Sequence, residues 1–173
     1  MSFQRKRESS SSTDVDPRFR GGDDQRMIGV TMFKKILVAL DHSMADNILL
    51  PQVKQLASLT QGEILLLHVS TGWAAQWQDN LNLSDSKEMK EDREYLERMA
   101  QKLRDEGFRV TTRHERGEPA RAVLQTARGE HCDLIAMAAH GHKLISDLIH
   151  GTTITKVRHE SEIPIFLVKA KPD

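Results

Sequence analysis

The sequence predicts an α/β fold: a three-layer sandwich in which a five-stranded parallel sheet, with strand order 3-2-1-4-5, lies between helices. Short continuous apolar runs such as Ile36–Leu40, Ile64–Val69 and Leu134–Ala139 are typical of strands buried on both faces. Segments with apolar residues at helical spacing separate these runs, and parallel neighbours need such crossover connections. The alternation therefore favours one doubly wound domain.

Composition limits the classes of function. The chain has 173 residues, with 25 Lys plus Arg and 25 Asp plus Glu, so no net charge attracts nucleic acid or anionic lipid. No apolar run approaches the roughly 20 residues of a membrane helix. The only cysteine, Cys132, is expected to be a packed structural thiol rather than a nucleophile or metal ligand. We expect a cytoplasmic protein without nucleic-acid or membrane partners.

Residues 1–31 are expected to form a disordered tail, because they mix charge, serine and glycine with almost nothing to bury. Met27 and Met32 are internal methionines, so the tail is interpreted as a mis-assigned extension of the reading frame. Residues 32–170 are expected to form the folded domain.

The first half of this domain reads as strand, helix and strand. The first strand, Ile36–Leu40, ends at Asp41. Ser43 or Asp46 is expected to cap a helix that ends at Gln61-Gly62. Its predicted apolar face comprises Ile48, Leu49, Val53, Leu56 and Ala57.

The middle of the domain is less regular. Trp73 and Trp77 are expected to pack on the sheet edge, with stacking on a base as the alternative. A helix with Leu96, Met99 and Leu103 inward should end at Gly107, and a peripheral strand should run over 108–114. Gly117-Glu118-Pro119 then starts a helix whose buried stripe is Ala120, Val123, Leu124 and Ala127.

The stretch from Cys132 to Thr155 is interpreted as an anion cradle. After the buried strand the chain turns at His140-Gly141-His142, and Gly151-Thr152-Thr153 is expected to open a helix. Glycine backbone and a helix N-terminus both offer N–H groups to phosphate. The predicted strand order brings Asp41 and Gly141 together where the strand order reverses, so we expect a phosphate-bearing ligand there. The last strand, 163–168, ends the domain.

Five stretches of the chain resemble the universal stress protein family. They are ILVALD at 36–41, LLLHV at 65–69, GEPARAV at 117–123, DLIAMAAHGH at 133–142 and HGTTITKVRHESEIPIFLV at 150–168. The resemblance covers Phe33 to about Val168 and implies a Rossmann-like fold of the adenine nucleotide alpha hydrolase type. The family's nucleotide signature is Gly, two residues, Gly, nine residues, Gly, then Ser or Thr. Gly141 and Gly151-Thr152 match it, whereas Ala138 replaces the first glycine.

The resemblance implies binding of ATP, with Mg²⁺ as a companion ion, and assigns ten residues to the site. Asp41 would accept hydrogen bonds from the ribose, and Ala138 is expected to weaken binding rather than abolish it. The ten are Ala39 and Asp41 at adenine and ribose, Val69 at adenine, Met137 and Ala138 at ribose, and Gly141, His142, Gly151, Thr152 and Thr153 at the phosphates. Alternatives are that Asp41 caps a helix and that the glycines are ordinary turn residues. No catalytic and no metal-binding residue is assigned to this chain, and His68 is expected to be a satisfied core residue.

Three functions are weighed. The first is an ATP-binding stress-response regulator, and the second is a dimeric scaffold with a vestigial cradle, for which Ala138 is the only support. The third is an enzyme of the ATP pyrophosphatase type, which needs a Ser-Gly-Gly-x-Asp-Ser loop where this chain has Asp41-His42-Ser43-Met44-Ala45. We expect that the protein is not an enzyme, and slow hydrolysis of bound ATP is the one activity that this expectation leaves open. The resemblance also implies a homodimer that pairs through the last strand.

Overall fold

A computed structural model describes residues 32–71, 87–140 and 147–170. The tail predicted at 1–31 lies outside the described residues, as do Trp73, Trp77, Gly141 and His142. Predictions about these residues stay predictions.

The sheet is all-parallel and has five strands in the order β3-β2-β1-β4-β5, which confirms the predicted topology. The strands are β1 (Lys35–Leu40), β2 (Glu63–Ser70), β3 (Val110–Arg116), β4 (Leu134–His140) and β5 (Ile165–Ala170). The apolar runs explain the central position of β1, β2 and β4, because their consecutive side chains are buried on both faces of the sheet.

Helices cover both faces of the sheet, which confirms the three layers. They are α1 (Asp46–Thr60), α2 (Lys87–Asp105), α3 (Pro119–Gly129) and α4 (Asp147–Glu160). One apolar cluster joins α1 and α2 to the side chains of Ile36, Val38 and Leu40. The other joins α3 and α4 to Leu37 and its neighbours on the opposite face. The alternation of strand side chains therefore divides the core into two halves.

The predicted cap of α1 is wrong. The N-cap residue is Ala45, whose side chain makes no capping bond, while the Ser43 hydroxyl accepts the Ala45 N–H at 3.1 Å. Asp46 lies inside the helix and its carboxylate reaches back to the backbone N–H of His42 at 3.0 Å. Ile48 of the predicted apolar face is 38% exposed, whereas Leu50, which was not predicted to face inward, is buried.

Gly62 has a different role from the predicted one. The left-handed residue that ends α1 is Gln61, at φ 53°, so glycine is not needed at 62 for its backbone angles. Glycine is needed there for space, because a Cβ atom would lie 2.5 Å from the carbonyl oxygen of Phe33. The chain leading into β1 therefore crosses directly over Gly62.

Strands β3 and β5 begin two residues later than predicted. The reason is that the backbone groups of Phe108 and Ile163 form local hydrogen bonds instead of sheet hydrogen bonds. The N–H of Phe108 closes the end of α2 by donating to Leu103 at 3.0 Å. The N–H of Ile163 donates to the Ser161 hydroxyl at 3.0 Å, and that hydroxyl donates back to the Ile163 carbonyl at 2.8 Å.

Helix α4 begins earlier than predicted. It starts at Asp147, so Gly151 and Thr152 lie inside it rather than at its opening. Glycine disfavours a helix interior by only about 1 kcal/mol, which the rest of the helix can outweigh. The first four N–H groups, which a helix leaves without intrahelical partners, therefore belong to 147–150.

Candidate functional site

The carboxyl ends of β1 and β4 lie side by side, as the sequence predicts. The two strands pair in parallel, with Ala39 opposite Met137. β1 leads towards β2 and β3 on one side while β4 leads to β5 on the other, so the strand order reverses between them. This is the place where open α/β sheets bind ligands. Asp41 follows β1 directly at this edge and is half-buried.

Three of the predicted site residues share one face of the sheet. Ala39, Val69 and Met137 all belong to the cluster on the side of α3 and α4. Ala138 packs on the opposite face, against the cluster formed with α1 and α2. The side chains of Met137 and Ala138 therefore lie on opposite faces of the sheet, because adjacent strand residues point in opposite directions. Their predicted position at the ribose stays a prediction.

Asp41 has a second carboxylate close by. Asp46 is 1% exposed, and it accepts hydrogen bonds from the backbone N–H of Asp41 at 3.3 Å and from the Tyr95 hydroxyl at 2.8 Å. Burial, and next the negative charge of Asp41, raise the pKa of Asp46 despite these hydrogen bonds. Because Ala45 is the N-cap residue of α1, Asp41 does not occupy the capping position. The capping alternative for Asp41 is therefore disfavoured.

The predicted phosphate residues are only partly described. Gly141 and His142 fall between β4 and α4, outside the described residues, and Gly151 and Thr152 are described only as backbone within α4. Thr153 is half-buried on α4. The structure therefore brings the predicted adenine and ribose residues to one sheet edge, and the predicted phosphate residues stay a prediction.

Beside this edge lies a polar cluster that the sequence did not reveal, here called the histidine network: His42, His68, Ser70, Asp92 and His114. Asp92 on α2 is its centre. Its Oδ1 is 3.3 Å from Nδ1 of His42, and its Oδ2 is 3.2 Å from Nε2 of His68. The Ser70 hydroxyl donates to Oδ2 at 2.8 Å.

The charge of Asp92 is stabilised by its contacts. Burial alone would raise the pKa of this carboxyl, but the hydrogen bond from Ser70 and the charge of His68 outweigh burial, and the pKa is lowered. His68 is 7% exposed and its Nδ1 lies 2.9 Å from the carbonyl oxygen of Leu40. His68 is therefore buried and hydrogen-bonded, as expected, but it also contacts a charge.

His114 completes the network on β3. Its ring is nearly parallel to that of His68, at 3° with centroids 5.9 Å apart, because the two residues are opposite each other in the strand register. Its Nε2 is 2.9 Å from the hydroxyl oxygen of Ser70. Burial, and then the charge of His68, lower the pKa of His114. Sequence reasoning missed this pair, although one histidine in each of two adjacent strands was its visible signal.

The described residues do not indicate a metal site or a reactive thiol. In the part of the chain that is described, no group of three or more His, Cys, Asp or Glu side chains is arranged to hold a metal ion. Cys132 is buried, and burial raises the pKa of its thiol to about 11, as suits a packed residue. The described helices include none long and apolar enough to cross a membrane.

A surface cavity lies elsewhere on the molecule. It has a volume of about 630 Å³ and lies between β3 and α3, away from the ends of β1 and β4. Arginine and glutamate side chains are present in equal number in its wall, so their charges cancel and do not favour an anionic ligand. They are Arg113, Arg116, Arg121, Glu115, Glu118 and Glu130.

Comparisons with known proteins agree with the fold. The model of the universal stress protein family matches residues 32–169. Universal stress protein MJ0577 of Methanocaldococcus jannaschii is 29% identical over 157 residues, covering 81% of this chain and 97% of the relative. Universal stress protein YxiE of Bacillus subtilis is 27% identical over 148 residues, covering 80% of this chain and 100% of the relative.

Solved structures show the same fold. That of MJ0577 has a TM-score of 0.68 at 29% identity, covering 82% of this chain and 99% of the other. The universal stress protein from Archaeoglobus fulgidus in complex with dAMP has a TM-score of 0.60 at 17% identity, covering 80% of this chain and 99% of the other. At that identity, the second likeness concerns the fold alone.

Proposed function

The chain belongs to the universal stress protein family, and from this premise we propose that it binds an adenine nucleotide, ATP, at the carboxyl ends of β1 and β4 and acts as a stress-response regulator. The observation that carries the proposal is the position of Asp41. It follows β1 where the strand order reverses, beside a face formed by Ala39, Val69 and Met137. A solved member of the family binds dAMP.

The residues at this edge fit the sugar and base of a nucleotide. A carboxylate only accepts hydrogen bonds, so Asp41 suits the ribose hydroxyls, which can donate. The side chains of Ala39 and Val69 are partly buried and would border the base, with Met137 packed in the same apolar cluster. A Mg²⁺ ion would have to be held mainly by the phosphates, as the described residues provide no cluster of metal ligands.

The face on which Ala138 packs favours nucleotide binding over the alternative of a dimeric scaffold that binds no nucleotide. Its methyl group packs among residues on the α1 and α2 face, opposite to the face of Met137. The methyl group would therefore leave the proposed nucleotide face clear, and the only support for a vestigial site becomes weaker. We also propose that binding rather than turnover is the function, because none of the described residues at this edge is assigned as a catalytic base.

Calorimetric titration of the full chain with ATP·Mg²⁺ tests the proposal. We expect one site per chain, and a loss of affinity of about 10- to 100-fold in Asp41→Ala, because a hydrogen bond to a charged group contributes about 1.5–3 kcal/mol. The variant should fold, since removal of Asp41 relieves repulsion on Asp46. Asp105→Ala, at an exposed position that ends α2, is the matched control. Absence of heat at millimolar ATP, or equal affinity in Asp41→Ala, would contradict the proposal.

We further propose a homodimer that pairs through β5. This strand is at the edge of the sheet, and Leu167 on it is 40% exposed. An open edge with an apolar side chain invites pairing with another chain.

Replacing Leu167 with lysine should therefore give monomers by light scattering, because a charge would be buried in the interface. Leu167 is preferable to Phe166 as a target, since Phe166 packs against the core and its replacement would also affect folding. Leu59→Lys is the control, at a leucine that is 76% exposed at the end of α1. A dimer that persists in Leu167→Lys would place the interface elsewhere.

A further inference from the structure

The two residues on either side of Asp41 are both connected to one pair, the buried His68 and the half-buried Asp92. The carbonyl of Leu40, just before Asp41, accepts from Nδ1 of His68 at 2.9 Å. The ring of His42, just after Asp41, lies 3.3 Å from Asp92. His68 and Asp92 contact each other at 3.2 Å. The pair therefore contacts the chain on both sides of Asp41.

The turn needs such support because its backbone is strained. His42 has φ 61°, a left-handed conformation that costs a residue with a Cβ atom about 1–2 kcal/mol. Its ring stacks on Tyr95 at a centroid distance of 3.9 Å, and its N–H donates to Asp46. Strained residues persist only where their surroundings hold them, and they are concentrated at functional sites.

The contacts of His68 require two protons on its ring. A carbonyl oxygen can only accept, so Nδ1 must carry a proton towards Leu40. A carboxylate can also only accept, so the contact of Nε2 with Asp92 is favourable only if Nε2 is protonated as well. A neutral imidazole has one N–H and can satisfy only one of these two acceptors. His68 therefore connects Leu40 to Asp92 only as the imidazolium.

The contacts of His114, whose ring lies parallel to that of His68, need only one ring proton. Ser70 donates its hydroxyl proton to Asp92, so the contact between Ser70 and Nε2 of His114 needs a proton on that nitrogen. His114 satisfies this contact as a neutral ring.

Among the described residues, the other charged groups around the pair come from the turn after β1 and from α1, α2 and β3. The turn after β1 contributes Asp41 and His42, and α1 contributes Asp46. Arg93 on α2 and Arg116 on β3 act on His114 through their charges and oppose its protonation. The His68 ring thus contacts both the carboxylate of Asp92 and the last residue of β1, which directly precedes Asp41.

We propose that the His68–Asp92 pair is a pH-sensitive positioning device for the turn that carries Asp41, so that affinity for an adenine nucleotide falls as pH rises and His68 loses its proton. Loss of that proton breaks either the contact with Leu40 or the contact with Asp92, and both contacts hold the turn. The inference rests on the proposed nucleotide site, within which His68 is a positioning residue.

The first experiment is calorimetric titration of the full chain with ATP·Mg²⁺ at several pH values from 6 to 9. Affinity of the wild type should fall by at least about fivefold across this range, the lower end of usual couplings between linked sites. In His68→Gln the fall should disappear, because glutamine does not titrate. His159→Gln, at an exposed position in the last turn of α4, should behave as the wild type. Comparison in identical buffers cancels the titration of the nucleotide itself.

A parallel fall in His68→Gln and in the wild type would overturn the inference while leaving the proposed function intact. Nuclear magnetic resonance of the nucleotide-free full chain separates the remaining cases. The backbone amide shifts of Asp41 and His42 should follow the titration of the His68 ring with one midpoint. Amides that stay unchanged while His68 titrates would overturn the positioning role, even if His68→Gln does not fold. If ATP fails to bind at any pH, the proposed function fails, and this second measurement alone decides whether the pair positions the turn.

Discussion

Replacing Asp92 with alanine should lower the free energy of unfolding by about 3 kcal/mol near neutral pH, because it leaves the buried His68 ring without its carboxylate partner. Removing one member of a buried pair costs about 3–5 kcal/mol, and the lower end applies because Asp92 keeps 20% of its side chain exposed. The Ser70 hydroxyl and the His42 ring also lose an acceptor. Urea unfolding followed by circular dichroism measures the change.

The effect of Asp92→Ala should depend on pH. The pKa of Asp92 is lowered in the folded protein, so the stability it contributes is present above the ordinary carboxyl range and is lost as pH falls through the lowered value. The difference between wild type and variant should therefore be larger near neutral pH than below about pH 3.

The neighbouring variant Glu91→Ala is the control. Glu91 is exposed and its ion pair with Lys87 measures 3.6 Å, so its loss should change stability by less than about 1 kcal/mol at any pH. An equal effect of the two variants would show that Asp92 is an ordinary surface carboxylate.

Replacing Gly62 with alanine should destabilise the fold by about 3 kcal/mol, at the upper end of the usual cost of overpacking. The new Cβ atom would lie 2.5 Å from the Phe33 carbonyl and 2.9 Å from the Thr60 hydroxyl. Phe33 has little freedom to move away, since it already holds a left-handed conformation at φ 60°. The midpoint of urea unfolding gives the size of the effect.

Gly129→Ala is the matched control for Gly62→Ala. Gly129 is the last residue of α3, and a Cβ atom there would meet nothing within 4 Å. Alanine should therefore be neutral at 129 or stabilise by up to about 1 kcal/mol through lower entropy of the unfolded chain. Unfolding midpoints of Gly62→Ala and Gly129→Ala that agree would show that space at Gly62 is not limiting.

The fold could be predicted from the sequence because its main signals are local. Continuous apolar runs such as Leu65–Leu67 mark strands buried on both faces, and the helical spacing of Leu96 and Leu103 marks a crossover. The strand order follows once the connections are known to be crossovers and the family resemblance is recognised. The adjacency of Asp41 to the end of β4 follows from that order alone.

The failures of prediction share a physical cause, since each depends on contacts distant in sequence. Asp92 lies in a run of charged residues on α2, and nothing local distinguishes it from its solvated neighbours. Its partners, His68 and Ser70, come from β2 and reach it only after α2 packs on the sheet. Gly62 was interpreted as a helix end for the same reason, because the approach of Phe33 cannot be read from adjacent residues.

The central claim, that an adenine nucleotide binds where β1 and β4 end, is tested most directly by mapping ATP-induced changes in the backbone amide spectrum of the full chain. We expect the largest shifts at Ala39, Asp41, Val69 and Met137, with the amides around the β3–α3 cavity, such as Arg121, unchanged. Shifts concentrated at that cavity, or an unchanged spectrum at millimolar ATP, would contradict the account.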